Sequence, residues 1–343
     1  MRAGLPPTPE LVTRTFRLKW VDTAKGFGII LVVLGHELRG LVNGDIVTWT
    51  PAIRFVDSWI YAFHMPLFFF LSGLFLFRST AKPWTEFAGD KIRTIAYPYF
   101  VWSVITLMIK AALGRTVHQP YDLTDLPLIF YRPIDQFWFL YVLFILLLAI
   151  SALLKFGVRP WVVFLLAILL YPELLPISSF GLGILNVTRM MAIYVALGVM
   201  LGSDQNIRLI SDTQVCLLAA GVAAGLIVSS LAGWIELPYR NLFEPALAVS
   251  GIAAIVALAL LTDKARVGAT IQFLGRYSLA IYLVHGIASA GVRIMLIKFA
   301  HISAAAPHFV LGILAGLYMP ILVVLIFERI GFQAGFAFPR HLT

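Results

Sequence analysis

The sequence predicts an all-α, polytopic membrane bundle of about ten transmembrane helices with both termini cytoplasmic. Three observations carry that reading. The chain of 343 residues is 60% hydrophobic, with a mean hydropathy of +0.91, whereas soluble domains are about 45–50% apolar. Several segments run for more than about 18 mostly apolar residues, enough to cross a bilayer as helix; a membrane β-barrel would show short alternating segments instead. Most of the 26 Lys and Arg residues fall in alternate connections. The net charge of +9 follows from that topology, and no nucleic-acid partner is expected.

Residues 1–19 hold Arg2, Arg14, Arg17 and Lys19 among prolines and read as a basic cytoplasmic arm. No cleavable signal peptide is expected, because the first apolar run ends in HELRG rather than in small residues. The transmembrane domain covers 20–329. Its spans are expected near 22–42, 57–77, 94–113, 136–154, 160–176, 183–202, 213–233, 243–262, 271–297 and 307–328. The fifth is short and bounded by prolines. The ninth is long, and its first residues suit an interfacial turn. Residues 330–343 form a cytoplasmic tail. Basic residues cluster in the inner segments, while the outer ones hold Arg54, Arg115, Arg132, Arg240 and Lys298. That bias sets the orientation. The longest connection, 114–135, then faces outside and suits either a lid or a plain linker. The lone cysteine, Cys216, excludes an internal disulfide. The seven histidines lack close i, i+4 pairs, and no metal is expected.

The chemistry concentrates in WVDTAKGFGIILVVLGHELRGL, residues 20–41. At about 100° per residue, Asp22, Lys25, Ile29, Val32, His36 and Arg39 share one helical face. Lys25 and His36 are separated by roughly 20° and about 16 Å along the axis. Ionisable groups inside a span are costly and normally face a bundle interior or a water-filled cavity. A second reading stays open: Asp22 as a helix cap, with Lys25 and Arg39 snorkelling at the two ends. That account covers His36 least well. Histidine suits general-base work because its unperturbed pKa lies near 6.5.

Further candidates lie in the other spans. His64 stands two residues before Pro66, and Asp57 lies seven residues earlier on the same face, placed to orient its imidazole. Ser72 and Gly73 suit close approach of another helix. Lys91 and Arg93 stand at the inner start of the third span, as topology alone requires, and also as an anion-binding patch would be built. Trp138 and Tyr141 open the fourth span as belt or site aromatics. Arg189 lies near the outer end of the sixth. Tyr282 and His285 share one face of the ninth.

The blocks KWVDTAKGFGIILVVLGH, FHMPLFFFLSGLFLF, KIRTIAYPYFVW, FWFLY and YSLAIYLVHG, in this order, resemble those of the acyltransferase-3 family over about residues 17–328. The resemblance implies a ten-span enzyme that moves an acyl group, usually acetyl, from cytoplasmic acyl-CoA to a sugar hydroxyl of a surface or exported glycan. It implies that Lys25 and His36 are the basic residue and the essential histidine of the first span, with Lys where many relatives have Arg. The family's Arg-x-x-Arg pair is imperfect here. Lys91 and Thr94 stand at its positions, with Arg93 beside the second. Trp138, Arg189 and His285 match family positions in the later blocks.

The expected function is therefore a membrane O-acetyltransferase in the cytoplasmic (inner) membrane of a bacterium. His36 is the expected general base, with Asp22, Lys25 and His64 assisting. Lys91, Arg93 and Lys25 are expected to hold acetyl-CoA, and Trp138, Arg189 and His285 to contact the acceptor. Expected partners are acyl-CoA, a glycan or lipid-linked saccharide, membrane lipids, and a second copy or a glycan-synthesis complex. Two alternatives from other classes fit the polar stripe: a transporter or flippase of a glycan precursor or small anion, and a scaffold subunit with structural charge pairs.

Overall fold

The computed structural model describes residues 18–114, 120–175, 182–202, 221–222, 224–225, 240–332 and 335–336. Residues 1–17 of the basic arm, most of the seventh expected span, Cys216 and much of the tail lie outside them. Most of the described residues are helical, and none of them is in a strand. Eight helical stretches among them are long and apolar enough to cross a membrane: Lys19–Asn43, Pro51–Leu74, Trp84–Leu113, Leu123–Lys155, Gly183–Leu201, Glu244–Lys264, Ser278–Lys298 and Ala305–Arg329. The chain is a multi-pass helical membrane protein.

Helix α1 spans Lys19–Asn43 and α2 spans Pro51–Leu74. Thr50 caps α2 by accepting from the Ile53 N–H at 3.2 Å, and Pro51 at its first position needs no donor. Two short helices follow, α3 (Leu76–Ser79) and α4 (Trp84–Lys91). A π-helical turn, Ile92–Ala96, joins α4 to α5 (Tyr97–Leu113). Two 3₁₀ segments, Leu123–Phe130 and Asp135–Phe137, lead into α6 (Trp138–Lys155).

The fifth expected span is shorter than the sequence suggested. Helix α7 runs only from Pro160 to Leu169. Its length of about 15 Å is half of the roughly 30 Å hydrocarbon core. The cause is local: Pro172 disfavours helical geometry at Tyr171 and ends the run. Beyond it lie α8 (Gly183–Leu201) and α9 (Arg240–Lys264). The long ninth span is two helices, α10 (Ala269–Arg276) and α11 (Ser278–Lys298), broken at Tyr277. Helix α12 (Ala305–Arg329) closes the bundle.

Helix α1 is the hub, packed by α2, α9, α10, α11 and α12. Between membrane helices the drive is packing and hydrogen bonding rather than water exclusion, so small residues mark the crossings. A Cβ on Gly73 of α2 would lie 2.2 Å from the Val195 carbonyl oxygen of α8, and one on Gly198 would lie 2.2 Å from that of Phe70. Gly26 and Gly275 similarly bring α1 against α10. The outward face of α12, with Leu311, Leu314, Leu322, Leu325 and Ile326, is exposed and apolar, as a lipid-facing surface is.

Candidate active site

The C-terminal half of α1 opens onto a cavity of about 1030 Å³. His36 and Arg39 line it from α1, Tyr61 and His64 from α2, Trp138 from α6 and Tyr282 from α11. On the same helical face, toward the inner end, Ile29 and Val32 are fully buried, so the stripe faces the bundle interior. The cavity lies at the C-terminal end of α1.

Four aromatic rings and one guanidinium form a continuous stack around His36. Its ring lies 5.0 Å from that of His285 at 69°, and 6.2 Å from that of Tyr61. Tyr61 packs edge-on against His64 at 4.6 Å. The Arg39 guanidinium carbon stands 3.2 Å above the Tyr61 ring, a cation–π contact. Arg39 is fixed there by a two-pronged pair with Asp57: Nε–Oδ1 at 2.6 Å and Nη2–Oδ2 at 2.9 Å. Such forks are short, strong and directional.

That pair corrects one expectation. Asp57 binds Arg39 rather than His64, and His64 Nδ1 donates to its own helix, to the Ile60 carbonyl at 2.8 Å. The spacing of Asp57 and His64 was right for one face, but an arginine from α1 reaches the carboxylate. Arg39 accordingly does not snorkel.

A second pair stands behind the first. Glu37, 1% exposed, meets Arg293 Nη2 of α11 at 3.2 Å. Arg293 also donates from Nη1 to the Gly40 carbonyl at 2.8 Å, and it lines the cavity. Gly312 of α12 leaves room for the Glu37 carboxylate, and its carbonyl accepts from Ser289 at 2.8 Å. At the cavity mouth Lys110 pairs with Asp135 at 2.6 Å. The Tyr282 hydroxyl donates to the Gln136 backbone carbonyl, tying α11 to the start of α6.

The expected site residues separate into four groups. His36, His64 and Trp138 line the cavity, and His285 sits directly against His36 without lining it. Asp22 and Lys25 lie farther toward the inner end of α1, with Asp22 buried and Lys25 partly buried. Lys91 and Arg93 belong to the α4–α5 junction, where the Lys91 ammonium lies 5.3 Å from the Phe87 ring centroid. Arg189 is away from the cavity lining. It donates from Nε to the Leu170 carbonyl at 2.7 Å and from Nη2 to that of Leu175, pinning the α7–α8 connection. Glu37, Tyr61, Arg293 and the Arg39–Asp57 pair were missed by sequence reasoning. One signal pointed to Glu37 and Arg293: opposite charges within two different spans call for each other.

Comparison with known proteins agrees with this architecture. The acyltransferase-3 family model, described as an acyltransferase domain, matches residues 18–326. A curated relative, the nodulation protein NolL of Mesorhizobium japonicum, is 31% identical over 140 residues. That match spans 40% of this chain and 36% of the relative. No solved structure matches. With the family match running from the start of α1 nearly to the end of α12, the chain belongs to the acyltransferase-3 family.

Proposed function

We propose that this protein is a membrane O-acyltransferase that moves an acetyl group from acetyl-CoA to a hydroxyl of a glycan or lipid-linked saccharide. The observation that carries the proposal is His36, an imidazole inside the membrane domain of this family, lining a cavity large enough for a saccharide unit. Tyr61 and Trp138 supply aromatic faces to that cavity, and Asp45 and Gln136 supply polar atoms. Sites for small molecules combine such apolar walls with a few placed polar groups.

His36 removes the proton of the acceptor hydroxyl. The oxygen attacks the thioester carbonyl, the new C–O bond forms and the C–S bond breaks. The proton leaves on the CoA thiol, so His36 is regenerated. The donor enters from the cytoplasmic side. Lys91 and Arg93 hold its phosphates as a cationic patch, and Lys25 and Asp22 assist from the N-terminal end of α1. Holding both reactants in one geometry supplies much of the acceleration. His64 and Trp138 contact the acceptor. The bacterial inner membrane is the compartment this topology suits, with both termini inside.

The direct check is acceptor labelling. Proteoliposomes given radiolabelled acetyl-CoA and a crude membrane glycan extract transfer label to the glycan fraction. Label that stays wholly on CoA, while a glycan precursor crosses the membrane without donor, would favour transport instead.

A further inference from the structure

His285 is 1% exposed and does not line the cavity, so it lies behind His36 rather than beside an acceptor. Its Nδ1 stands 3.0 Å from the Ile281 carbonyl oxygen and 2.9 Å from that of Tyr282. Carbonyl oxygens only accept, so Nδ1 carries the proton of a neutral ring and Nε2 is left as an acceptor. Nε2 is buried and has no hydrogen-bond partner among the described residues. An orphaned acceptor in the interior is costly unless a working state fills it.

Of the rings packed on His285, that of His36 is nearest, at 5.0 Å and nearly perpendicular; that of Tyr282 lies at 6.3 Å. Ring nitrogens turned toward each other across that separation come within hydrogen-bonding reach. The movement needed is a rotation of His36 about χ2, a torsion with broad wells. Catalytic hydrogen bonds often tighten only when substrate is bound. Among the other groups facing His36, Arg39 is engaged by Asp57 and the Tyr61 face and His64 Nδ1 by Ile60. The Tyr61 hydroxyl has no hydrogen-bond partner among the described residues, but its ring lies farther from that of His36, at 6.2 Å.

We infer that His285 is a positioning residue: its Nε2 accepts the N–H of His36 and fixes the tautomer whose second nitrogen offers its lone pair to the cavity. The inference rests on His36 being the base. When His36 takes the hydroxyl proton it becomes imidazolium, and the bond to His285 becomes charge-assisted. The proton then leaves His36 for the CoA sulfur, and His285 keeps its own throughout. A buried histidine on α11 thus does what a carboxylate does for other catalytic histidines, without bringing a further charge into the membrane.

The test uses the full-length protein in nanodiscs with ¹⁵N-labelled histidine. The His36 signals are assigned by their loss in His36→Gln, and hydrolysis of acetyl-CoA is followed as CoA release. Wild type shows one His36 tautomer. His285→Phe keeps bulk and burial but removes the acceptor. It yields a mixture of tautomers and at least tenfold slower CoA release at saturating acetyl-CoA, with KM for acetyl-CoA unchanged. His285→Gln, whose amide oxygen reaches near the Nε2 position, restores most of both. Wild-type tautomer and rate in His285→Phe overturn the inference, as does equal loss in the Phe and Gln variants. Should His285→Phe not fold, a wild-type His36 split between tautomers overturns it as well. Full activity in His36→Ala removes the general-base reading itself; an inactive His36→Ala beside an indifferent His285→Phe removes only the positioning role.

Discussion

Glu37 and Arg293 form an ion pair across α1 and α11 at 3.2 Å, with the Glu37 side chain fully buried. The pair sits one residue from His36 in sequence and two turns from His285 on α11, so it holds together the two helices whose histidines touch. Removing one partner of a buried pair leaves an uncompensated charge and costs about 3–5 kcal/mol, whereas replacing both by apolar side chains is often neutral. Glu37→Leu alone and Arg293→Met alone are therefore expected to lower the thermal unfolding midpoint in detergent by several degrees. The double variant is expected to recover most of that loss. A double variant no more stable than the singles would contradict the pairing.

Arg39 does two things that lysine does not: it forks onto Asp57 and lies flat on Tyr61. Arg39→Lys keeps the charge and loses both contacts. The expected loss is about 1–3 kcal/mol of transition-state stabilisation, or roughly 5- to 150-fold in kcat/KM, with normal folding by size-exclusion chromatography. Asp57→Asn is expected to follow it. Parity of Arg39→Lys with wild type would show that the stack does not align the site.

Lys91 and Arg93 stand at the opposite end of the bundle from the cavity mouth. If they hold donor phosphates, the double substitution to Gln raises KM for acetyl-CoA by tenfold or more and leaves kcat within a few-fold, as loss of uniform binding does. The effect is expected to shrink in high salt, because both versions then bind weakly. An unchanged KM with lowered expression would assign the two residues to topology alone.

The crossing of α1 and α10 is tight enough to test by one methyl group. A Cβ on Gly275 would stand 1.7 Å from the Asp22 carbonyl oxygen. Gly275→Ala must push α10 away from α1 and is expected to reduce the folded yield sharply. Gly89→Ala, at a position with nothing within 4 Å, serves as the tolerated control. Equal yields of the two variants would contradict the packing.

Much of this was legible in the sequence. Hydropathy and the placement of Lys and Arg marked the spans, and the eleven-residue spacing of Lys25 and His36 put both on one inward face. The start of the ninth span, expected to be set apart from the rest, is the separate short helix α10, ended at Tyr277. Gly73 does admit a neighbouring helix, α8. What stayed hidden depends on which helices meet. Asp57 was paired within its own helix because periodicity sees only one helix at a time; Arg39 comes from another. Arg189 carried a functional expectation from its position, yet the truncation of α7 at Leu169 leaves free carbonyls that its guanidinium binds. Tyr61 gave no signal, since an aromatic in a span is usually packing, and only its contact with both Arg39 and His64 marks it.

The central claim is that His36 does the chemistry in the cavity. The most direct measurement is CoA release from acetyl-CoA by purified protein in liposomes, with wild type and His36→Ala compared at matched folded amounts. The account predicts release by wild type and a loss of at least a hundredfold in His36→Ala, with acetyl-CoA binding retained. Release at the wild-type rate from folded His36→Ala would contradict it.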